Sequence, residues 1–330
     1  MNLTTVNTTL LLSDYNETFP EIYKRSFATR FLGSSVTIVL GCTAVLGNLA
    51  VVFASYWDKT LRNQASTLLL VYLAMTDVIT GLITIIPAAV AVAIDDWPFD
   101  NTFCKLQNGL TYGCNCSSSL NISVISFDRI VAVTRPLQYR NIITTKRIIG
   151  FCIFLFLLAM TIALPALVLE WSHFNYIEGI CAFDFRLEET KNFSTSWTFI
   201  SCYYIPGLFM FVCNCVIIYK ANKQKSAWLF IRRNTTVVFQ QTSSSNKTIA
   251  SVSVLVLTYC VTLAPYITAM NLAFSLDGFS IPPLLHYLLC LLVFISPAVN
   301  PFIYGIFRKD YRNAYKKIVP KSIKNCFGAS

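Results

Sequence analysis

Apolar positions in this chain gather into long unbroken runs separated by short polar breaks. Seven runs stand out, near 31–56, 66–93, 103–132, 148–170, 197–219, 248–275 and 281–306. Each matches the about 20 residues that an α-helix needs to cross roughly 30 Å of hydrocarbon. The pattern predicts an all-α membrane protein built as a bundle of seven transmembrane helices. Beyond the last run, Phe307, Tyr311, Tyr315 and Ile318 recur on one helical face with bases between them. That spacing predicts a short amphipathic helix lying along the inner leaflet.

Composition agrees with lipid as the solvent. Of 330 residues, 55% are hydrophobic and 13% charged, against about 25% charged in soluble proteins. The first 30 residues are polar and include Asp14, Glu17, Glu21, Lys24 and Arg25, unlike a cleavable signal. The first span is therefore expected to direct insertion itself.

Charge sets the orientation, because Lys and Arg in short loops stay on the cytoplasmic side. With the N-terminus outside, the outer segments hold only Lys24, Arg25, Arg30, Lys105, Arg186 and Lys191, and the other bases lie inside. Nearly all acids run the other way; only Asp58, Asp77, Asp128 and Asp310 do not. The net charge of +10 is then an inner-face charge turned to anionic lipid and cytosolic partners, and a nucleic-acid partner finds no support. The expected division is an extracellular glycosylated segment (1–30), the bundle (31–306), the amphipathic helix (307–319) and a cytoplasmic tail (320–330).

Nine of twelve cysteines fall inside spans, where a buried thiol acts as a small hydrophobe, and Cys326 lies in the inner tail. Cys104 and Cys181 alone face the oxidising side, so they are expected to pair. Glycosylation triplets occur on that side at Asn2, Asn7, Asn16 and Asn192. The same triplet at Asn115, Asn121, Asn234 and Asn246 falls in the membrane or the cytosol, where it has no such meaning.

Polar residues inside the spans are the candidates for function. Asp77 is the acid deepest in a span, and Asn48, Ser118, Ser296 and Asn300 are expected to join it around a small cation. Pro87, Pro165, Pro206, Pro265, Pro297 and Pro301 each remove a backbone hydrogen bond inside a helix, which predicts kinks and a bundle able to hinge. The two histidines, His173 and His286, lie near the outer face with no nucleophile and orienting acid evident beside them. With no phosphate loop or zinc-type spacing either, the chain is not expected to be an enzyme. Cys326, just past the amphipathic helix, is a candidate for palmitoylation.

Taken in order, these landmarks resemble the rhodopsin-like (class A) family of G-protein-coupled receptors over about residues 35–320. The carriers are Gly47-Asn48-Leu49-Ala50-Val51, Leu73-Ala74-Met75-Thr76-Asp77, Trp97-Pro98-Phe99, the Cys104 and Cys181 pair, Asp128-Arg129-Ile130, Pro206, Pro265, and Asn300-Pro301-Phe302-Ile303-Tyr304. One falls at each expected place. The resemblance implies a cell-surface receptor in which an outer ligand opens the inner side of the bundle to a heterotrimeric G protein. By position, Arg129 would contact the G protein, Asp128 would restrain it at rest and Tyr304 would meet it in the active state. Pro136, Leu137 and Tyr139 would form the docking loop, with Asn300 and Pro301 in the activation hinge. Asp77 would centre a sodium-binding cluster.

The chain departs from the family pattern at several points. Leu263 stands where a tryptophan is usual, Asn214 where a tyrosine is, and span four has no tryptophan. Ser245 stands near the usual span-six acid, so no salt bridge across the inner face is expected and basal activity is expected to be raised. The text "FDRIVAVTRPLQYR" looks most like receptors for biogenic amines and related small molecules. Amine receptors hold the ligand's ammonium with a span-three aspartate, and Thr111 occupies that position here. Opsins need a span-seven lysine, replaced here by Phe294.

Thr111, Tyr112, Asn115, Thr198, Cys202, Tyr266, Asn271, Tyr287 and Cys290 are expected to line the ligand pocket. As a neutral set they suit a small uncharged or zwitterionic molecule, or a short peptide reaching the acidic rim of Asp95, Asp96 and Asp100, rather than a conventional amine. A transporter or channel, or a receptor-shaped protein that binds or heterodimerises without signalling, are the alternatives.

Overall fold

The structure, a computed structural model, describes residues 24–184, 187, 189–190, 193–234, 242–276 and 280–318. The seven apolar runs all form helices: α1 (Phe27–Trp57), α2 (Thr67–Ile94), α3 (Asn101–Thr134), α4 (Thr145–Val168), α5 (193–234), α6 (Thr242–Ser275) and α7 (Pro283–Phe307). Five of them, α1, α2, α6, α7 and the 198–220 portion of α5, are long and apolar enough to cross a membrane by length and composition alone. Helix α3 carries asparagines and serines along its length, and most of these are buried, since α3 packs against α2, α4, α5 and α6. Large apolar side chains such as Phe53, Phe154, Leu208, Phe211 and Leu257 are turned outward, as a hydrocarbon solvent requires.

Helix ends follow side-chain capping. Ser26 accepts from the Thr29 amide, Asp100 from Phe103 and Thr144 from Arg147, satisfying amides that the first turn leaves open. The Ser26 cap starts α1 at Phe27, four residues before the boundary expected at 31. Two prolines are met by a change of helix type. A π-helical stretch Gly81–Ile85 precedes Pro87, and Phe193–Tyr204 precedes Pro206, a local widening that accommodates a disturbed hydrogen-bond ladder.

Close helix contacts rest on small residues. A Cβ at Gly109 would lie 2.9 Å from the Ala163 carbonyl oxygen, and one at Gly113 would lie 3.2 Å from the Ala163 Cβ. This pair four residues apart lets α3 and α4 approach backbone to backbone. Gly47 does the same for α1 and α7, 2.8 Å from Pro301 Cγ.

A β-hairpin caps one end of the bundle. Strands β1 (Ser172–Asn175) and β2 (Ile180–Phe183) pair antiparallel with Asn175 opposite Ile180. The turn between them is built by Asn175, whose Oδ1 accepts from the amides of Ile177 and Glu178, and by Gly179 at φ +72°, a conformation that glycine adopts without penalty. At the opposite end α8 (Lys309–Ile318) turns off α7. It starts at Lys309, two residues after the expected 307, because Phe307 closes α7 and Arg308 makes the corner. Its apolar face meets protein rather than the leaflet alone. Tyr311 and Ala314 are buried, and the Tyr311 hydroxyl is 2.8 Å from Ser55 Oγ of α1.

Candidate functional site

The hairpin is fixed to α3 at three points. Cys181 is disulfide-bonded to Cys104, Gln107 Oε1 accepts from the Cys181 amide at 2.7 Å, and Asn108 Nδ2 donates to Ser172 Oγ at 2.7 Å. Its turn is tied from the other side. Arg25 Nη1 lies 2.8 Å from Asp95 Oδ1, the Tyr176 hydroxyl donates to the same oxygen at 2.7 Å, and the guanidinium sits 4.1 Å from the Tyr176 ring centre. Partial burial raises the Tyr176 phenol above its ordinary pKa, so it remains a donor to Asp95.

Beneath the hairpin lies a small cavity of about 40 Å³, room for only a few waters at roughly 10–15 Å³ each. Five of the expected pocket residues line it: Thr111, Tyr112, Asn115, Tyr266 and Cys290. Four sit elsewhere. Thr198 and Cys202 are buried in α5, Tyr287 faces α1 at Thr37 and Gly33, and Asn271 is further along α6. Leu263 and Phe294 line the cavity floor with Phe199 and Tyr203. Asp95, of the expected acidic rim, is engaged by Arg25; Asp100 caps α3 and Asp96 accepts from the Trp97 amide.

The cavity lining also holds an acid that the expected set of neutral residues does not include. Glu178, from the hairpin turn, is buried and lines it. Glu178 Oε1 accepts from the Tyr266 hydroxyl at 3.0 Å and lies 2.6 Å from His286 Nε2. By its position in the sequence Glu178 is one of the outer acids, and no pattern along the chain pairs it with His286. The readable signal was position: the bridged Cys181 three residues on forces this acid over the bundle mouth.

From the cavity wall onward, buried polar pairs recur along α2, α3 and α7. Thr84 and Thr111 hydroxyls are 2.7 Å apart, Thr76 and Ser118 are 2.9 Å apart, and Asn300 Nδ2 donates to Asp77 Oδ2 at 2.8 Å. Asn48 Nδ2 bridges the carbonyls of Ala44 and Pro297, and Asn121 Nδ2 donates to Leu69 O. Ser296 is half-buried on α7. Tyr259 joins α6 to α3 through Ser119 at 2.8 Å, a tie that no sequence pattern marked.

The far end is also narrow. Asp128 Oδ2 lies 2.6 Å from an Arg129 guanidinium nitrogen, and the Tyr139 hydroxyl donates to Asp128 Oδ1 at 2.7 Å. Burial, with the Asp128 carboxylate nearby, pushes the Tyr139 phenol up to about 12, so it keeps its proton. Arg129, Asp128 and Tyr304 border a gap of about 10 Å³ walled by Leu69, Leu70, Ile125, Val252 and Leu255. The Tyr304 hydroxyl, buried, has no hydrogen-bond partner among the described residues. In the loop after α3, Pro136 is exposed and Leu137 is 96% exposed. Asn2, Asn7, Asn16, Asn192 and Cys326 lie outside the described residues, and so does the side chain of Ser245.

Comparison with known proteins places this geometry among relatives. The family model described as "7 transmembrane receptor (rhodopsin family)" matches residues 47–304. The chain is 24% identical over 294 residues to the histamine H2 receptor of Rattus norvegicus, covering 89% of this chain and 80% of that one. It is 29% identical over 304 residues to trace amine-associated receptor 8c of Rattus norvegicus, covering 85% and 83%. Among solved structures, squid rhodopsin superposes with a TM-score of 0.76 at 18% identity, over 93% of this chain and 89% of that one.

Proposed function

The chain belongs to the rhodopsin family of seven-transmembrane receptors, a cell-surface receptor coupling an extracellular ligand to heterotrimeric G proteins, and on that premise we propose how its parts divide the work. The hairpin end faces outward and the α8 end faces the cytosol, in line with the placement of bases and acids along the chain. The ligand is a small molecule that enters under the hairpin and occupies the cavity bordered by Thr111, Tyr112, Asn115, Tyr266 and Cys290. Thr198, Cys202, Asn271 and Tyr287 act behind it, as supports of the helices that must move.

Ligand sites usually enclose about 300–1,000 Å³, so a cavity of about 40 Å³ has to widen when occupied. Widening displaces α5, α6 and α7 against α3, and the polar groups of Asp77, Asn300 and Tyr259 carry the change to the inner mouth. There Arg129 leaves Asp128, Tyr304 becomes its new neighbour through an otherwise unpartnered hydroxyl, and Pro136, Leu137 and Tyr139 present the loop to the G protein. The supporting observation is a small cavity at one end of the bundle and an ion pair at the other, with buried polar pairs on α2, α3, α6 and α7 between them.

Asp77, Ser118, Ser296, Asn48 and Asn300 offer hard oxygen donors that suit a sodium ion, and Asn48 Oδ1 is buried without a hydrogen-bond partner among the described residues. A bound sodium would supply positive charge beside the buried Asp77. On α8, Lys309, Arg312 and Lys316 turn toward anionic lipid.

The test is ligand screening on cells expressing the chain, read by G-protein recruitment, for wild type and Arg129→Ala. Coupling should disappear in the variant at matched surface expression. Full coupling without Arg129, or ion flux without a G protein, overturns the proposal.

A further inference from the structure

A carboxylate is expensive to bury, costing several kcal/mol unless its oxygens are answered. Glu178 is answered on one side only. Its Oε1 has Tyr266 and His286, with Asn175 Nδ2 at 3.4 Å, whereas Oε2 is buried with no hydrogen-bond partner among the described residues. No other acid lines the cavity among the described residues. Thr111, at the position where amine receptors carry their aspartate, has no charge to offer a cation and its one proton is committed. Its hydroxyl donates to Gln107 O at 2.6 Å and meets Thr84 at 2.7 Å.

We infer that Glu178 is the anionic anchor of a site for a protonated amine, with the anchor carried by the outer hairpin instead of by α3. This rests on the reading of the cavity as the ligand site and names the ligand's class. The ammonium would donate to Oε2. The walls suit the cation, because Tyr112, Phe199, Tyr203 and Tyr266 border the same space and aromatic faces attract a desolvated cation.

The placement of the acid is rigid where it needs to be. Gly179 turns the chain so that Glu178 enters the bundle, and a Cβ there would meet Val92 Cγ2 at 2.8 Å. The disulfide and Gln107 hold β2, while Arg25 and Asp95 hold Tyr176, two residues before the acid. Since the cavity is small, the amine must push aside aromatic side chains, and its body is expected to be a single ring or short chain.

The experiment uses the purified full chain in lipid nanodiscs, its thermal unfolding midpoint titrated with 2-phenylethylamine and with the neutral 2-phenylethanol. Wild type should bind the amine at least about tenfold more tightly than the alcohol, the scale of one desolvated charge pair. Glu178→Gln should abolish that preference, and adding Thr111→Asp to it should restore amine binding by placing a carboxylate on the same cavity. If Glu178→Gln does not fold, Glu178→Asp keeps the charge and should weaken the amine while retaining its preference over the alcohol. Equal binding of amine and alcohol by wild type overturns the inference, as does undiminished amine binding by Glu178→Gln. Nucleotide exchange on a G protein is read in parallel. Arg129-dependent exchange without amine preference removes this inference alone, and amine preference without Arg129-dependent exchange removes the coupling scheme alone.

Discussion

Replacing Asp128 with Asn tests the narrow inner mouth most directly, because the change keeps the shape and removes the charge. In the wild type the carboxylate holds Arg129 at 2.6 Å and is itself held by Tyr139 at 2.7 Å, with only 2% of the Asp128 side chain and 14% of the Arg129 side chain exposed. Two unit charges about 4 Å apart interact by about 4 kcal/mol at an effective dielectric constant of about 20, before desolvation is subtracted. A hydrogen bond to a charged group is worth about 1.5–3 kcal/mol net. If about 1% of resting receptors are open, losing that restraint raises the open fraction to about 10–60%. The assay is ligand-free nucleotide exchange on a purified G protein in membranes, normalised to receptor number, and the expected rise is about tenfold or more. Tyr139→Phe removes one supporting hydrogen bond to that carboxylate, about 1.5 kcal/mol at the low end of the same range, and should give a rise of about tenfold. Because Tyr139 acts through the Asp128 carboxylate, the double variant should match Asp128→Asn alone. Basal exchange within about twofold of wild type, or full additivity of the two changes, refutes the restraint.

Three further predictions address other parts of the chain. Leu137→Ala should lower G-protein coupling by about tenfold or more with an unchanged unfolding midpoint, since burying a leucine is worth about 1.5–3 kcal/mol and Leu137 is 96% exposed in the free receptor; a titration of G protein against receptor measures it. Gly109→Ala should destabilise by about 1–3 kcal/mol, because the new Cβ would lie 2.9 Å from a backbone oxygen of α4; a thermal midpoint equal to wild type contradicts the packing described. A hydrogen bond from Lys317 holds the Asp58 carboxyl below its ordinary value of 3.8. A depressed folded pKa stabilises above the ordinary value, and the gain is lost as pH falls through the folded one. The stability gap between wild type and Lys317→Ala should therefore be present at neutral pH and close in the acid range below about 4, while a gap independent of pH would deny the pairing its role in seating α8.

The helices were legible because hydrocarbon imposes a length and an exclusion of charge, and both are written in sequence order. Their ends were legible only to a few residues. Ser26 can cap α1 only because the chain turns there, and Arg308 breaks α7 from α8 where the pattern of Phe307, Tyr311 and Tyr315 runs on unbroken. The inner mouth could be read from adjacent residues, since Asp128 and Arg129 need no tertiary contact to meet. The outer mouth could not. Thr198, Cys202, Asn271 and Tyr287 satisfy the same spacing rules as the residues that line the cavity, and only the rotation and depth of each helix in the folded bundle separate the two groups.

Glu178 shows why a loop can supply the chemistry that a span lacks. Span periodicity says nothing about a hairpin, and an acid in a polar outer segment reads as a solvated one. Its burial is decided jointly by distant choices: the bridge from Cys104 to Cys181, the left-handed backbone at Gly179 and the Arg25 tie to Asp95. Each of these constrains the hairpin on its own, and together they leave the turn facing the cavity. An outer sensor made this way can change the charge of its ligand site by exchanging a few loop residues while the helices keep their packing. The inner mouth has no such freedom, because Asp128, Arg129 and Tyr304 are set in the helices that must move. The divergence of this chain from amine receptors at Thr111, alongside a retained inner pair at Asp128 and Arg129, is what that division of labour predicts.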